Sequence, residues 1–295
     1  MDKIISGLCC NDSIRIVAIS ARELIAEAQR THGLSRVATA ALGRQLMMTA
    51  MMAAKLKSKG DKITTIIAGD GVAKNMVCTG SCGGAVKGYT PSPGAELPLR
   101  DDGKLDVAGY VGSSGRLTVV SDLSLKEPYV GTCSLVSGEI AEDFAQYFMT
   151  SEQQNCIVFL GVNLKAGDKS VQAGGGLWIS ALPNCPDDAV DAVLARLEGI
   201  RGFARRLIEE DAETALMDIF EGLDFAITEV QPTEFRCDCS RERLEQALIS
   251  LGGQELTDLI EQDGQAEVTC QFCTRRYHFT REELSRLLEE AMRND

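Results

Sequence analysis

Two short stretches near the C-terminal end of this chain carry the residues most able to do chemistry. "FRCDCSRERL" holds Cys237 and Cys239 around a single aspartate, and "VTCQFCTRRYHF" holds Cys270 and Cys273. Zinc takes four thiolates tetrahedrally at about 2.3 Å, and two close cysteine pairs on separate turns supply that shell without a long-range search. C-x-x-C is the usual knuckle spacing; C-x-C is rarer but can still place both sulfurs on one ion. The 30 residues between the pairs exceed the commonest zinc-ribbon gap, so the pattern points to a metal more strongly than to a family. Two readings compete: a permanent zinc clasp and a redox sensor.

The segment around these thiols has few large apolar residues and would hardly fold without a staple. Structural zinc contributes roughly 10–16 kcal/mol of apparent binding energy at neutral pH, comparable to or above a small domain's whole stability. Disulfides within each near pair would close only tiny rings and could not rebuild the crosslink between the pairs. Oxidation would therefore eject the metal and unfold the tail, and a strained C-x-C bridge would be easily reduced again. His278 is a conceivable further ligand, but four thiolates close the shell and a strand position suits it better.

The rest of the chain has to position this cluster. Residues 1–182 read as one large α+β domain, 183–233 as a metastable helical linker, and 234–295 as a small zinc-binding domain. "IRIVAIS" has strand character, followed by a helix with Ser20 and Glu23 at capping-box spacing. Ser35 opens a second helix that carries Met47, Met48, Met51 and Met52, a stripe best read as a core face. Glycine-punctuated runs then read as strands: "KITTIIAGDG", "NMVCTGSCGG", "AVKGYT", "KLDVAGYVG", "GRLTVVSDL". "GEIAEDFAQYFMTSEQ" gathers Ile140, Phe144, Tyr147 and Phe148 on one helix face, and "CIVFLGVNL" and "VQAGGGLWISAL" resume strands. After the prolines of "LPNCPDD", charged amphipathic helix runs to "VQPTEF", with the apolar stripe Val193, Leu197, Ile200, Phe203, Leu207, Leu216, Ile219 and Phe220. Beyond it come a helix from Ser240, a short one near Glu255, a strand–knuckle–strand around "CQFC", and a last helix capped by Thr280 and Glu283.

The tail "FRCDCSRERLEQALISLGGQEL…VTCQFCTRRYHFTREEL" resembles that of the redox-regulated heat-shock chaperones of about thirty-three kilodaltons, a family of bacterial holdases. "GDG" at Gly69–Gly71, "GGAVKGY", "LTVVSDL…PYVG…LVSGEIAEDFAQYFMTSEQ" and "AGGGLWISALP" carry the resemblance through essentially the whole chain. It implies an inactive reduced form with one zinc on Cys237, Cys239, Cys270 and Cys273. It further implies that oxidant with unfolding stress forms the Cys237–Cys239 and Cys270–Cys273 disulfides, releases zinc and unfolds the linker. The active form would bind unfolding client proteins without ATP, commonly as a homodimer. Val72 stands where the family commonly has proline after "GDG", and a glutamine often found in the late glycine-rich strand is replaced within "LWISALP". Neither touches the switch. The seven other cysteines, Cys9, Cys10, Cys78, Cys82, Cys133, Cys156 and Cys185, read mostly as small buried hydrophobes.

Bulk properties narrow the alternatives. A net charge of −13 repels phosphate backbones and anionic membranes, so nucleic-acid and membrane partners are not expected. No apolar run reaches the ~18 residues of a membrane span, and no secretory signal is recognisable, so a cytoplasmic address with reduced thiols is expected. An enzyme is not expected either. There is no G-x-x-x-x-G-K-[ST], and "GYVGSSGRLTVV" leads into a strand instead of a phosphate-binding helix. A thiol oxidoreductase would want C-x-x-C at a helix start, whereas "TRRYHF" follows Cys273. The remaining alternative is a zinc-stapled interaction module without redox switching.

Overall fold

A computed structural model describes residues 1–294. Met1–Arg236 forms one compact unit, and the residues from Cys237 onward form a second.

The first unit opens with β1 (Lys3–Cys9) and β2 (Ile14–Ser20), then α1 (Arg22–His32) and α2 (Arg36–Ala53). β3 (Lys62–Gly69), β4 (Asn75–Ser81) and β5 (Ala85–Tyr89) follow, then α3 (Val107–Val111), β6 (Gly115–Asp122) and β7 (Tyr129–Ser134). α4 (Ala141–Ser151), β8 (Cys156–Leu164) and β9 (Val171–Ala181) lead to α5 (Asp187–Leu194), α6 (Leu197–Arg206) and α7 (Ala212–Ile219). β10 (Ala226–Pro232) and β11 (Glu234–Phe235) close the unit. One sheet has the order β10-β1-β2-β9-β8 and the other β11-β5-β4-β3-β6-β7.

The first sheet is covered on both faces, and its strands show it. Along β2, Val17 and Ile19 join the cluster that contains α2, while Ile14, Ile16 and Ala18 join the one beneath α5–α7. A strand buried on both sides needs a near-continuous apolar run, which "IRIVAIS" supplies. α2 is buried almost all round, as a helix apolar on every face must be. Met47, Met48, Met51 and Met52 lie in that core, as their spacing predicts.

The segment 183–233 packs within this unit. Val193, Ile200, Phe203, Leu216, Ile219 and Phe220 are each at most 4% exposed, against Ile5, Ile16, Leu177 and Ile179 of the sheet. α6 approaches β8 at Gly161, where a Cβ would come within 2.6 Å of the Ala204 Cβ. The Asn163 side chain donates to the Ala204 carbonyl at 2.9 Å beside it. The segment is not helical to its end: β10 pairs antiparallel with β1, from Lys3–Pro232 to Leu8–Ala226.

Other local expectations also change. "KLDVAGYVG" contains α3, capped by the Asp106 carboxylate on the Gly109 N–H at 2.9 Å, and is no strand. Ser20 does not cap α1; it ends β2, and Ala21 N–H bonds the Gly174 carbonyl while Asp2 accepts from Leu24 N–H at 2.6 Å. Ser35 caps α2 as expected, accepting from Ala38 N–H at 3.1 Å. "GDG" and "GYVGSSG" turn out to be mated loops. A Cβ on Gly71 would lie 2.5 Å from the Tyr110 carbonyl, and Asp70 accepts from Ser114 N–H at 3.1 Å.

Of the seven additional cysteines, Cys9 and Cys78 are buried and the others half-buried. Burial pushes the thiol of Cys78 well above its ordinary range, and those of Cys133 and Cys156 to about 11. Cys78 lies within β4, whereas Cys82 sits in the following turn with Sγ 3.4 Å from the Leu56 carbonyl oxygen.

The second unit comprises α8 (Arg241–Ile249), α9 (Gly253–Gln262), β12 (Gln265–Thr269), β13 (Arg276–Thr280) and α10 (Arg281–Asn294). Its core is small: Leu248, Leu256, Phe279, Leu284, Leu287 and Ala291. Thr280 N–H donates to the Glu283 carboxylate at 2.9 Å and Glu283 N–H to the Thr280 hydroxyl at 3.4 Å, the reciprocal pair that the T-x-x-E spacing predicts.

Candidate metal centre

Cys237 and Cys239 lie in the extended segment leading into α8. Ser240 caps that helix through the Arg243 N–H at 3.4 Å, which fixes where the segment turns. Asp238, between the two thiols, is held by the Arg243 guanidinium, which also donates to its carbonyl at 3.0 Å. Cys270 and Cys273 occupy the knuckle between β12 and β13. Cys270 N–H donates to the Arg275 carbonyl at 2.9 Å, and Thr274 N–H donates to the Cys270 carbonyl at 2.8 Å. Thr274 takes a left-handed φ of 59° to close the turn.

These two segments bring all four sulfurs within 4.8 Å of one another. Cys237 Sγ lies 3.8 Å from Cys270 Sγ, and Cys239 Sγ lies 3.4 Å from Cys273 Sγ. The edge of a tetrahedron with zinc–sulfur bonds of ~2.3 Å is about 3.8 Å, so the donor set fits one such ion. The four cysteines can hold a metal ion. Each of the two contacts joins one member of each pair, so an ion there would tie the N-terminal segment to the knuckle. His278 is not part of the group. It lies on β13, largely exposed, with Nε2 3.1 Å from a Glu267 carboxylate oxygen.

The surroundings favour a thiolate at Cys239 and oppose one at Cys273, whose thiol is pushed up by burial first. Burial works against a charge on Cys239, but hydrogen bonds from Tyr277 and from the neighbouring thiols outweigh it and bring the thiol down to about 7. Thiolate is the form that binds metal and attacks oxidants. Tyr277 was not singled out in the sequence, yet its hydroxyl is 3.3 Å from Cys239 Sγ. The available signal was the Tyr277–Phe279 alternation on β13, which turns both side chains inward from the strand. Arg243, through Asp238 first and then Cys237 and Cys239, holds its proton more firmly than usual. Arg275 does so through Tyr277 and the charges of Cys239 and Cys273. Two guanidinium groups thus lie within electrostatic reach of the sulfur cluster.

Comparison with known proteins finds relatives along nearly the whole chain. The family described as Hsp33 protein matches residues 2–280. The 33 kDa chaperonin of Alkaliphilus oremlandii is 43% identical over 292 residues, covering 98% of this chain and 97% of that protein. The 33 kDa chaperonin of Clostridium acetobutylicum is 39% identical over 296 residues, covering 99% of each. The crystal structure of the 33 kDa chaperonin (heat shock protein 33 homolog) from Thermotoga maritima matches with a TM-score of 0.88 at 34% identity, again over 99% of each chain.

Proposed function

This chain belongs to the Hsp33 chaperone family, and from that premise we propose that it is a redox-regulated, ATP-independent holdase of the cytoplasm. The observation that carries the reading is the four-sulfur cluster at tetrahedral separations in a unit whose apolar core is too small to stand alone. Cys237, Cys239, Cys270 and Cys273 would hold one zinc ion in the reduced, inactive state. Bound there, zinc would supply the crosslink between the two segments. Oxidation removes two electrons from each near pair of thiolates, giving the Cys237–Cys239 and Cys270–Cys273 disulfides, while for each pair one peroxide takes those electrons and two protons from solvent to become two waters. A disulfide sulfur is no longer a thiolate, so each bridge withdraws two of the four ligands.

Loss of the staple leaves a small core to hold the second unit, and the linker at 183–233 then undocks. What it uncovers is the stripe of Val193, Ile200, Phe203, Leu216, Ile219 and Phe220, now buried on the first sheet. That stripe is the surface offered to unfolding clients, and the many charges of the same helices keep the complex in solution. Among the described residues no helix is long and apolar enough to cross a membrane. Oxidised chains act as homodimers.

Peroxide with mild warming should release one zinc per chain and remove four thiols from alkylation as light scattering by an aggregating client falls. Full holding activity with zinc still bound would overturn the proposal. Absence of holding in every redox state would leave a zinc-stapled interaction module.

A further inference from the structure

The C-terminal end of α2 stands over one face of the first sheet and leaves a cleft beneath it. Strand register sets the floor. Ser6 of β1 pairs with Val17 of β2 and with Glu229 of β10, and Leu8 pairs with Arg15. Paired residues share a face, and so do residues two apart on a strand. Leu8 and Arg15 therefore lie on the same face as Val17, which packs in the cluster around α2. Met51, Ala54 and Lys55 form the roof, Thr228 and Glu229 of β10 add a wall, and the cavity holds about 480 Å³. The cleft is thus built jointly from the body of the first unit and from the end of the 183–233 segment.

Two cations line it without a counterion. Among the described residues neither Arg15 nor Lys55 makes an ion pair. Lys55 is exposed overall, but its Nζ lies 3.5 Å from the centroid of the buried Trp178 ring. Burial first, then the like charge of Arg15, lowers Lys55 to about 8 despite the attraction of Glu152 and Cys156. Glu152 is engaged by the Tyr147 hydroxyl at 2.8 Å and does not line the cavity. The last carbonyls of α2 are also taken. The Ala54 and Lys55 N–H groups bond the Ala50 and Met52 carbonyls, and Gln231 Nε2 donates to the Ala54 carbonyl at 3.2 Å. Ala54, Lys55 and Glu229 also line an adjoining cavity of about 590 Å³, where Lys57 adds a third cation. Three cations against the single carboxylate of Glu229 reverse, locally, the net charge of −13.

We propose that this cleft binds a small organic carboxylate with an apolar body, its head between Arg15 and Lys55 and its body along Leu8 and Ala54. A guanidinium takes a carboxylate through two parallel N–H donors, and the lysine adds a point charge. A negative head there relieves the repulsion between the two cations. The volume lies within the ~300–1,000 Å³ of small-molecule sites. An inorganic anion would leave the apolar wall unfilled, and a neutral alkyl compound would leave the cations unpaired. Because Thr228 and Glu229 belong to β10, the complete cleft exists only while that strand is docked, so the ligand favours the docked form by mass action. Binding needs no part of the redox switch; a restraint on client holding rests on that reading.

The test titrates octanoate into the full reduced, zinc-loaded chain by calorimetry and follows β10 by hydrogen exchange. Octanoate should saturate with a Kd of about 1 mM or below. Octanol and acetate, each lacking one half of that chemistry, should bind roughly tenfold or more weakly. Arg15→Gln and Lys55→Gln should each weaken octanoate by roughly tenfold, whereas Lys55→Arg should keep it. At about ten times the Kd, β10 amides that open through undocking should exchange roughly tenfold more slowly, with β3 unchanged. Octanol binding as tightly as octanoate, full affinity in both glutamine variants, or no saturable binding by either readout would overturn the proposal. So would faster β10 exchange, the sign of a probe that prefers the undocked stripe.

Discussion

Gly161→Ala should loosen the 183–233 segment without touching a thiol. A Cβ at this position would lie 2.6 Å from the Ala204 Cβ of α6, and the next atom, the Gly175 carbonyl oxygen, is 3.9 Å away. Carbon atoms pack at ~3.5–4.0 Å, so α6 must lift by roughly 1 Å. Overpacking of this kind costs about 1–3 kcal/mol. The cost falls where Ile200 and Phe203 are buried and Asn163 holds the Ala204 carbonyl. At that magnitude the undocked population rises about 5- to 150-fold. Hydrogen exchange on the reduced protein should show α6 amides exchanging faster by that factor, with β3 and β4 unchanged. Cold peroxide, weakly activating in the wild type, should then give clear holding of a client. Gly161→Ala with Ala204→Gly removes the clash, less ~1 kcal/mol of helix propensity, and should restore most of the protection. Unchanged α6 exchange in Gly161→Ala, or equal acceleration in the double variant, would refute the argument that this close approach holds the segment down.

Single Cys→Ser changes at Cys237, Cys239, Cys270 or Cys273 should each abolish stoichiometric zinc in purified reduced protein, because three thiolates leave an open shell, while His278→Ala should keep it. Metal analysis decides the assignment, and one tight zinc retained by a cysteine variant would relocate a ligand. Cold peroxide should give mainly Cys270–Cys273, which share a tight knuckle. Cys237–Cys239 should await warming, since its bridge is strained while Ser240 caps α8, and disulfide mapping follows the order. In fully oxidised protein, most residues from about 183 onward should lose hydrogen-exchange protection while β2, β3 and β4 stay slow; uniform loss would contradict a stable first domain.

What could be read from the sequence was what is local. The four thiols are carried by two short turns, and each pair's spacing already brings its own sulfurs together, so the cluster was legible from type and spacing. Ser35 with Ala38 and Thr280 with Glu283 are contacts across three residues, and both form as the pattern predicts. Ser20 with Glu23 has the same spacing but fails, because β2 uses Ser20 in its pairing with β9 and a carboxylate from Asp2 takes over the helix end. β10 was hidden for a similar reason: its partner β1 lies at the other end of the unit, and nothing local in "AITEVQP" names it. β1 and β7 went unassigned, being short strands whose neighbours decide them. α3 was misread because five residues give too little periodicity to separate a helical turn from a strand. The role of Gly161 depends on a helix 43 positions later and shows only in three dimensions.

A reversible redox gate on client holding can be followed in one sample carried through a redox cycle. Light scattering by a thermally unfolding client is recorded with zinc-loaded reduced protein, after peroxide with warming, and after thiol reductant with zinc. Little suppression should be seen first, then strong suppression without ATP, then return to the first level. Suppression by the reduced zinc-loaded protein equal to that of the oxidised form would contradict the gate.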